Sequence, residues 1–408
     1  MIFIRPIFFV VIYLLQTWII CGQTANSMYE SGMSKYQQND LAGAISEFTR
    51  CIEKNELFYD AYIGRGDCYT AQNKFGEALK DFSKALEIYP NYYPAYLKRA
   101  ATYARAGENK KALADFARAI EIDKNKEGAY LERAKLYQKN NDLKSALTDL
   151  STALEINGKN ADVFFQRALI YELQKKDKAA LSDFSKSIAL NPLLAEAYYK
   201  RGLLLEKTGD YKAASADYKK AVTLKIRHKE LFLHKAQAQF FSGLWTEAIE
   251  DYNTLMNEYA VKDAGTYYNR AQCYYKTDKT TEALKDFMKS AQLNTRNDSA
   301  YLYIARIYES QNNQKSAHIY YNKAISVNPE NYNAFAGRAK IFSGQQKFEQ
   351  AVQDWNTALK SKPVAEWYFE RALCKEAMKD KKGMCDDMKS AADLGYKKAL
   401  QIYNGSCK

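Results

Sequence analysis

Histidine is almost missing from this sequence, with only His228, His234 and His318 in 408 residues. None stands three or four places from another and no Cys-x-x-Cys occurs, so the chain offers no familiar zinc-ligand set. Phosphate-cradling loops are missing as well. Gly64-Arg65-Gly66 begins like a dinucleotide turn but lacks the third glycine. There is no Gly-x-Ser-x-Gly elbow, and no cluster of carboxylates or nucleophiles marks a catalytic centre. These gaps lead us to expect no enzyme, no cofactor and no metal. Proline is scarce, at 6, while apolar residues reach 47%, a balance that excludes a mainly disordered chain.

Basic residues never run to five in a row, although the net charge is +12. Such a charge can serve nucleic acid, an anionic membrane or acidic partners. Lysines spread along the whole chain favour the plainer reading of a solvated surface, which makes nucleic acid an unlikely partner. Long apolar runs are also lacking. Ile7 to Leu15, behind Arg5 and ahead of small or polar residues from Gly22 to Ala25, has the layout of a cleaved export signal. It is too short for a membrane span. Cys21 admits a lipoprotein reading, but Trp18, Ile19 and Ile20 precede it where small residues are expected. The sequence therefore suggests residues 1–23 as a signal peptide and a periplasmic or secreted mature chain with no membrane span. Loss of Arg5 alone would leave a formal charge of +11.

What is abundant is repetition and aromatic side chains, 33 tyrosines and 19 phenylalanines. Ala44, Ala78, Ala112, Ala146, Ala180, Ala214 and Ala248 follow at intervals of 34. Ala283 comes after 35, and Ala317 and Ala351 resume the interval. An aromatic residue usually follows four places on, as in Phe82, Tyr218 and Trp355, and a small residue three later. Upstream, Tyr62, Gly66 and Tyr69 form a second set at i, i+4 and i+7. Each set occupies one face of a helix. Small residues at the crossing let two helices approach while rings fill the flanks. Polar turns such as Gly107-Glu108-Asn109 separate the helices, and Pro90, Pro192, Pro329 and Pro363 stop the second one.

This pattern resembles the tetratricopeptide repeat, in an exported bacterial form, from about residue 25 to 395. The resemblance implies an all-α solenoid, a right-handed superhelix of about eleven antiparallel helix pairs. Residues 24–395 would form the array and residues 396–408 a C-terminal cap containing a helix. It also implies a non-catalytic scaffold for protein–protein interaction, of the cell envelope given the export signal, with first helices lining a concave groove for a peptide or partner helix. Carried onto this sequence, the groove wall is Tyr29, Ile63, Leu97, Leu131, Phe165, Tyr199, Leu233, Tyr268, Leu302 and Phe369. Arg105, Lys135, Lys139, Arg306 and Lys340 give polar edges, while Phe240, Phe241, Tyr268 and Tyr275 cluster near the odd-length junction at Ala260 to Ala264. From these, Arg105, Lys135, Lys139, Phe165, Tyr199, Phe240, Tyr268 and Tyr275 are the candidate partner-binding residues, the alternative for the rings being simple packing. The Lys and Asn set of a carboxylate clamp is missing. A solenoid binding an anionic polymer, nucleic acid or acidic polysaccharide, is the alternative function.

Two features go beyond the family pattern. Arg65, Arg99, Arg133, Arg167, Arg201, Arg270, Arg338 and Arg371, with Lys235, hold one repeat position. An aspartate stands sixteen residues after each: Asp81, Asp115, Asp149, Asp183, Asp217, Asp286, Asp354, Asp387 and Asp251. The ninth repeat loses both together, having Ile304 and Tyr320, which argues for pairing within a repeat over independent surface preference. Among the cysteines, Cys385 with Cys407 is the best bridge because it would pin a fraying end. Cys51 with Cys68 is a second candidate, and buried free thiols are the alternative.

Overall fold

The computed structural model describes residues 24–361 and 363–407. The expected signal segment lies outside the described residues. The chain divides into two compact units, Met1–Arg201 and Gly202–Lys408. Among the described residues there are helices and turns and no strands.

In the first unit the helix pairs are α1 (24–37) with α2 (Leu41–Lys54), α3 (Tyr59–Ala71) with α4 (Phe75–Ile88) and α5 (Tyr93–Arg105) with α6 (Asn109–Ile122). Next come α7 (Glu127–Lys139) with α8 (Leu143–Ile156) and α9 (Ala161–Leu173) with α10 (Asp177–Leu190). Helix α11 (Ala195–Lys207) carries the boundary. The second unit continues with α12 (Tyr211–Thr223), then α13 (Lys229–Phe241) with α14 (Trp245–Asn257) and α15 (Ala264–Lys276) with α16 (Thr280–Leu293). It ends with α17 (Asp298–Ser310) and α18 (Gln314–Val327), α19 (Tyr332–Gly344) and α20 (Phe348–Ala358), and α21 (Ala365–Ala377) and α22 (Lys381–Asp393). Helix α23 (Lys397–Ser406) follows the last pair. Within each unit, first helices touch the first helices of neighbouring pairs as well as their own partners.

Packing follows the residue spacing. Ala78, Phe82 and Ala85 on α4 are fully buried. A Cβ added to Gly66 would stand 2.7 Å from the Phe82 ring, and one on Gly64 would stand 2.6 Å from Phe48 of the preceding repeat. Phe48 is thus clamped by bare backbone from its own repeat, at Gly32, and from the next, at Gly64, while Phe82 meets bare backbone at Gly66 of its own repeat. The turn inside each pair always contains one left-handed residue. Glycine supplies it at Gly107, Gly209 and Gly243 and asparagine at Asn39, Asn73, Asn141 and Asn312, but Lys175, Gln346 and Lys379 adopt it too. Five second helices end at asparagine. The Oδ1 atoms of Asn55, Asn157, Asn191, Asn294 and Asn328 accept the backbone N–H two residues on, and the turns at Asn191 and Asn328 enclose Pro192 and Pro329.

Seven of the expected Arg–Asp pairs form within their own repeat, as the joint loss suggested. Arg65 donates from Nε and Nη2 to both oxygens of Asp81 at 2.9 and 2.8 Å. The same fork joins Arg99 to Asp115, Arg133 to Asp149, Arg167 to Asp183, Arg270 to Asp286, Arg338 to Asp354 and Arg371 to Asp387. All seven aspartates are buried. The remaining nitrogen reaches the second helix of the preceding repeat: Nη1 of Arg65 bonds Thr49 Oγ1 at 3.1 Å, Arg99 bonds Ser83, and Arg201, Arg270, Arg338 and Arg371 bond Ser185, Asn253, Asn322 and Asn356. Rings close the remaining sides, Arg133 lying between Tyr130 and Tyr137 and Arg270 between Tyr267 and Tyr274. One guanidinium thus ties three helices.

Among the described residues Arg133 faces Ala117 and lacks the third bond, the first repeat has Ser31 and Glu47 at the paired places, and two further repeats change the pair itself. In the seventh, Lys235 meets only Asp251 Oδ1, at 2.9 Å, and Asp251 Oδ2 is buried without a partner. Burial then raises the Asp251 pKa. In the ninth, Ile304 is fully buried and Tyr320 stacks on Tyr301 and Tyr308. The acceptor in the preceding second helix has changed with them, to Met288. Three positions on three helices have switched from polar to apolar together.

A double-mutant cycle tests the clamp. Asp183→Ala strands the Arg167 charge and should cost about 3–5 kcal/mol, whereas replacing both residues by apolar ones should cost distinctly less. Denaturant unfolding of the two singles and the double measures the coupling, and additive losses would show that the pair does not act as a unit.

Candidate binding groove

The first helices of the first unit bring three candidates together. Arg105 ends α5, and Lys135 and Lys139 lie one turn apart on α7, so all three face one cavity of about 310 Å³. Ala101, Ala104 and Leu136 supply an apolar floor. Arg105 is held outward by Asn73 Oδ1, 2.9 Å from Nη2, and by the face of Phe75 at 5.2 Å. Lys135 pairs with Glu132 one turn earlier at 2.6 Å. Lys139 is exposed. The arrangement is a positive rim over a small hydrophobic patch, suited to a carboxylate-bearing chain with small side chains beneath it.

Other candidates fall elsewhere. Phe165 is half-buried against Phe184 at 5.8 Å, and Tyr199 is half-buried on α11. The four rings expected to cluster near the odd-length junction form two groups. Phe240 meets Phe241 edge-on at 5.3 Å, and Phe241 stacks on Tyr211 at 4.7 Å. Tyr268 and Tyr275 both set their edges against Tyr303, which stacks flat on Phe287 at 4.9 Å. The second group packs its own repeat against the next one. The extra residue at the junction goes into a turn in which Ala260 takes a left-handed conformation.

Several expected wall residues are core instead. Ile63, Leu131 and Leu302 are each only 8% exposed, because the fifth place packs between neighbouring first helices. Phe369 is covered by the Tyr396 ring at 4.8 Å, just before α23. Leu131 is buried and Phe165 half-buried at the same place in the repeat, so the periodic pattern alone could not sort them.

Among the described residues the cysteines resolve into one bridge and four thiols. Cys385 on α22 and Cys407 after α23 form a disulfide with Cα atoms 5.6 Å apart. Cys51 and Cys68, the second candidate pair, are separate buried thiols, which corrects that pairing; Cys51 stands where other repeats have alanine and Cys68 where several have leucine or isoleucine. Burial pushes both thiols up to about 11, and Cys273 to about 12, so neither exchange nor metal binding is favoured at neutral pH. Among the described residues no group of three His, Cys, Asp or Glu could hold a metal ion, and no helix is long and apolar enough to cross a membrane.

Family models described as tetratricopeptide repeat match residues 59–92, 93–126, 131–192, 195–225, 264–297 and 298–331. Human tetratricopeptide repeat protein 6 is 30% identical over 141 residues, 34% of this chain and 27% of that protein. The match thus spans about a quarter of the relative's length. Solved structures of similar fold include YrrB, described as a TPR protein with an unusual peptide-binding site. It is 21% identical, covers 45% of this chain and 95% of its own, and has a TM-score of 0.40. A tetratricopeptide repeat protein from Parabacteroides merdae is 21% identical with 61% and 98% covered and a TM-score of 0.38. Yeast Tom70 is 16% identical with 94% and 96% covered, also at 0.38.

Wall and rim residues should separate in stability measurements. Ile63→Ala should cost about 2–4 kcal/mol through the cavity it opens, while Lys139→Ala should stay within about 0.5 kcal/mol of the parent. Thermal or urea unfolding of the two variants compares them directly.

Proposed function

The chain belongs to the tetratricopeptide repeat family, and from that premise we propose that it is an exported scaffold holding an acidic segment of another envelope or secreted protein in its first-helix groove. Arrays of this family are protein-binding scaffolds that are generally not catalysts. The observation that carries the finer reading is the convergence of Arg105, Lys135 and Lys139 from two helices on one cavity with an apolar floor. Arg105 and Lys139, with Lys135 shared with Glu132 of the same cavity, favour carboxylates, and the shallow floor of alanine and leucine favours small apolar side chains between them.

The oxidised Cys385–Cys407 pair supports export, since such a bridge persists in an oxidising compartment and not in a reducing one. It holds α23 against the last repeat, where Ala399 is buried beside Ala372, Met384 and Met388. Terminal repeats need such a cover because their outer face has no neighbour to pack against.

Two measurements test this reading. Mature protein from cells should begin near residue 23 to 26; an intact Met1 or a lipid-modified Cys21 would contradict a soluble envelope protein. A partner recovered on the mature chain should bind the purified Lys135→Glu/Lys139→Glu variant at least roughly tenfold more weakly, with modest dependence on salt. Affinity falling steeply with salt and lost equally on reversing lysines elsewhere would favour an anionic polymer instead.

A further inference from the structure

In two repeats an acid at the start of the first helix is tied down by two asparagines of the following junction. Glu127 Oε1 accepts from Asn157 and Asn160 at 2.9 and 3.4 Å, and Asp298 Oδ2 accepts from Asn328 and Asn331 at 3.0 and 2.8 Å. The second repeat has tyrosine at all three corresponding places, Tyr59, Tyr89 and Tyr92. Their rings pack on one another with centroids 5.0, 5.3 and 5.4 Å apart. The acid has moved one residue along, to Asp60, where the chain turns into α3.

Asp60 is consequently a carboxylate without a charge partner. Its hydrogen-bond partner is the Tyr92 hydroxyl at 3.2 Å, and among the described residues no lysine or arginine pairs with it. Burial raises its pKa, with the Tyr92 hydrogen bond acting the other way. On the side of the first repeat, Tyr29 and Phe58 pack with centroids 5.2 Å apart, and Tyr29 feels the Asp60 charge after its own burial. The nearby Asp67 has already acquired its cation, Lys98 at 2.7 Å. Asp60 has not.

We propose that Asp60, with Tyr29, Phe58 and Tyr92 around it, is a receptor for one organic cation, the guanidinium or ammonium of a side chain on the bound segment. A half-buried carboxylate gains most from a partner that brings full opposite charge and fork-like donors, and arginine does both. The rings receive the alkyl stem and add cation–π attraction once water is displaced. A neutral or anionic group would leave the carboxylate uncompensated. The proposal rests on the groove reading only for the source of the cation. Taken with the positive rim on α5 and α7, it describes a partner segment bearing a basic residue toward the first two repeats and acidic residues toward the third and fourth.

The test needs no partner. The whole mature chain carrying 3-fluorotyrosine is titrated with butylguanidinium at constant ionic strength and followed by fluorine NMR. The Tyr92 resonance is assigned as the one lost in Tyr92→Phe. Butylguanidinium should shift the Tyr92 and Tyr29 signals to saturation, and butylurea, its neutral isostere, should not. Asp60→Asn should weaken the response roughly tenfold while leaving the circular dichroism unchanged. Equal shifts from butylurea, no shift from butylguanidinium, or a titration untouched by Asp60→Asn would overturn the proposal. Should Asp60→Asn not fold, the guanidinium-to-urea comparison on the parent chain decides alone. Failure here leaves the effect of Lys135→Glu/Lys139→Glu on partner binding intact, so the two readings fail separately.

Discussion

The guanidinium at the seventh place of most repeats is the constraint on which their helix stacking depends. Ring-and-alanine packing brings helices together but fixes their rotation poorly, because flat rings slide on small residues with little change in contact. A forked ion pair has only one good geometry. Arg338 satisfies Asp354 with two nitrogens and Asn322 of the preceding repeat with a third, and it can do so only when three helix axes hold one mutual setting. Burial of the aspartates makes loss of the fork expensive, so the clamp acts as a register device more than as a source of net stability.

Much of this was legible in the sequence because a repeated contact leaves a repeated interval. The separation of sixteen between Arg167 and Asp183 recurs often enough to be seen, and the joint absence at Ile304 and Tyr320 assigned it to the interior of a repeat. The third bond was not visible. Thr49, Ser83, Asn253 and Asn322 do the same work with different side chains, so no single letter recurs. The turn geometry was half visible: Gly107 and Asn141 announce a left-handed residue, while Lys175 and Gln346 adopt one under tertiary pressure that residue type does not disclose.

The candidate groove was legible in its charges and not in its walls. Exposed cations stay where periodicity places them, since water tolerates them in any rotamer, and Arg105, Lys135 and Lys139 meet accordingly. Apolar residues at the fifth place differ in depth instead. Leu131 sinks between helices, while Phe165 and Phe369 stay half out, Phe369 against Tyr396. The tyrosine trio of the second repeat escaped the sequence reading for a related reason. Its meaning lies in what it replaces, an acid and two asparagines, and that is clear only once the junctions of other repeats are laid over it.

The three-helix clamp also bears on how such a chain could lengthen. The second repeat carries an arginine, its aspartate and the acceptor awaiting the next arginine, so its tandem duplication would join Ser83 to another Arg65 and leave no buried charge unmatched. The eighth repeat is different. Its Met288 fits Ile304 ahead of it, and a second copy placed there would set Met288 against Arg270. A copied second repeat would thus keep all three bonds, whereas a copied eighth would leave its guanidinium one acceptor short, as Arg133 already is opposite Ala117.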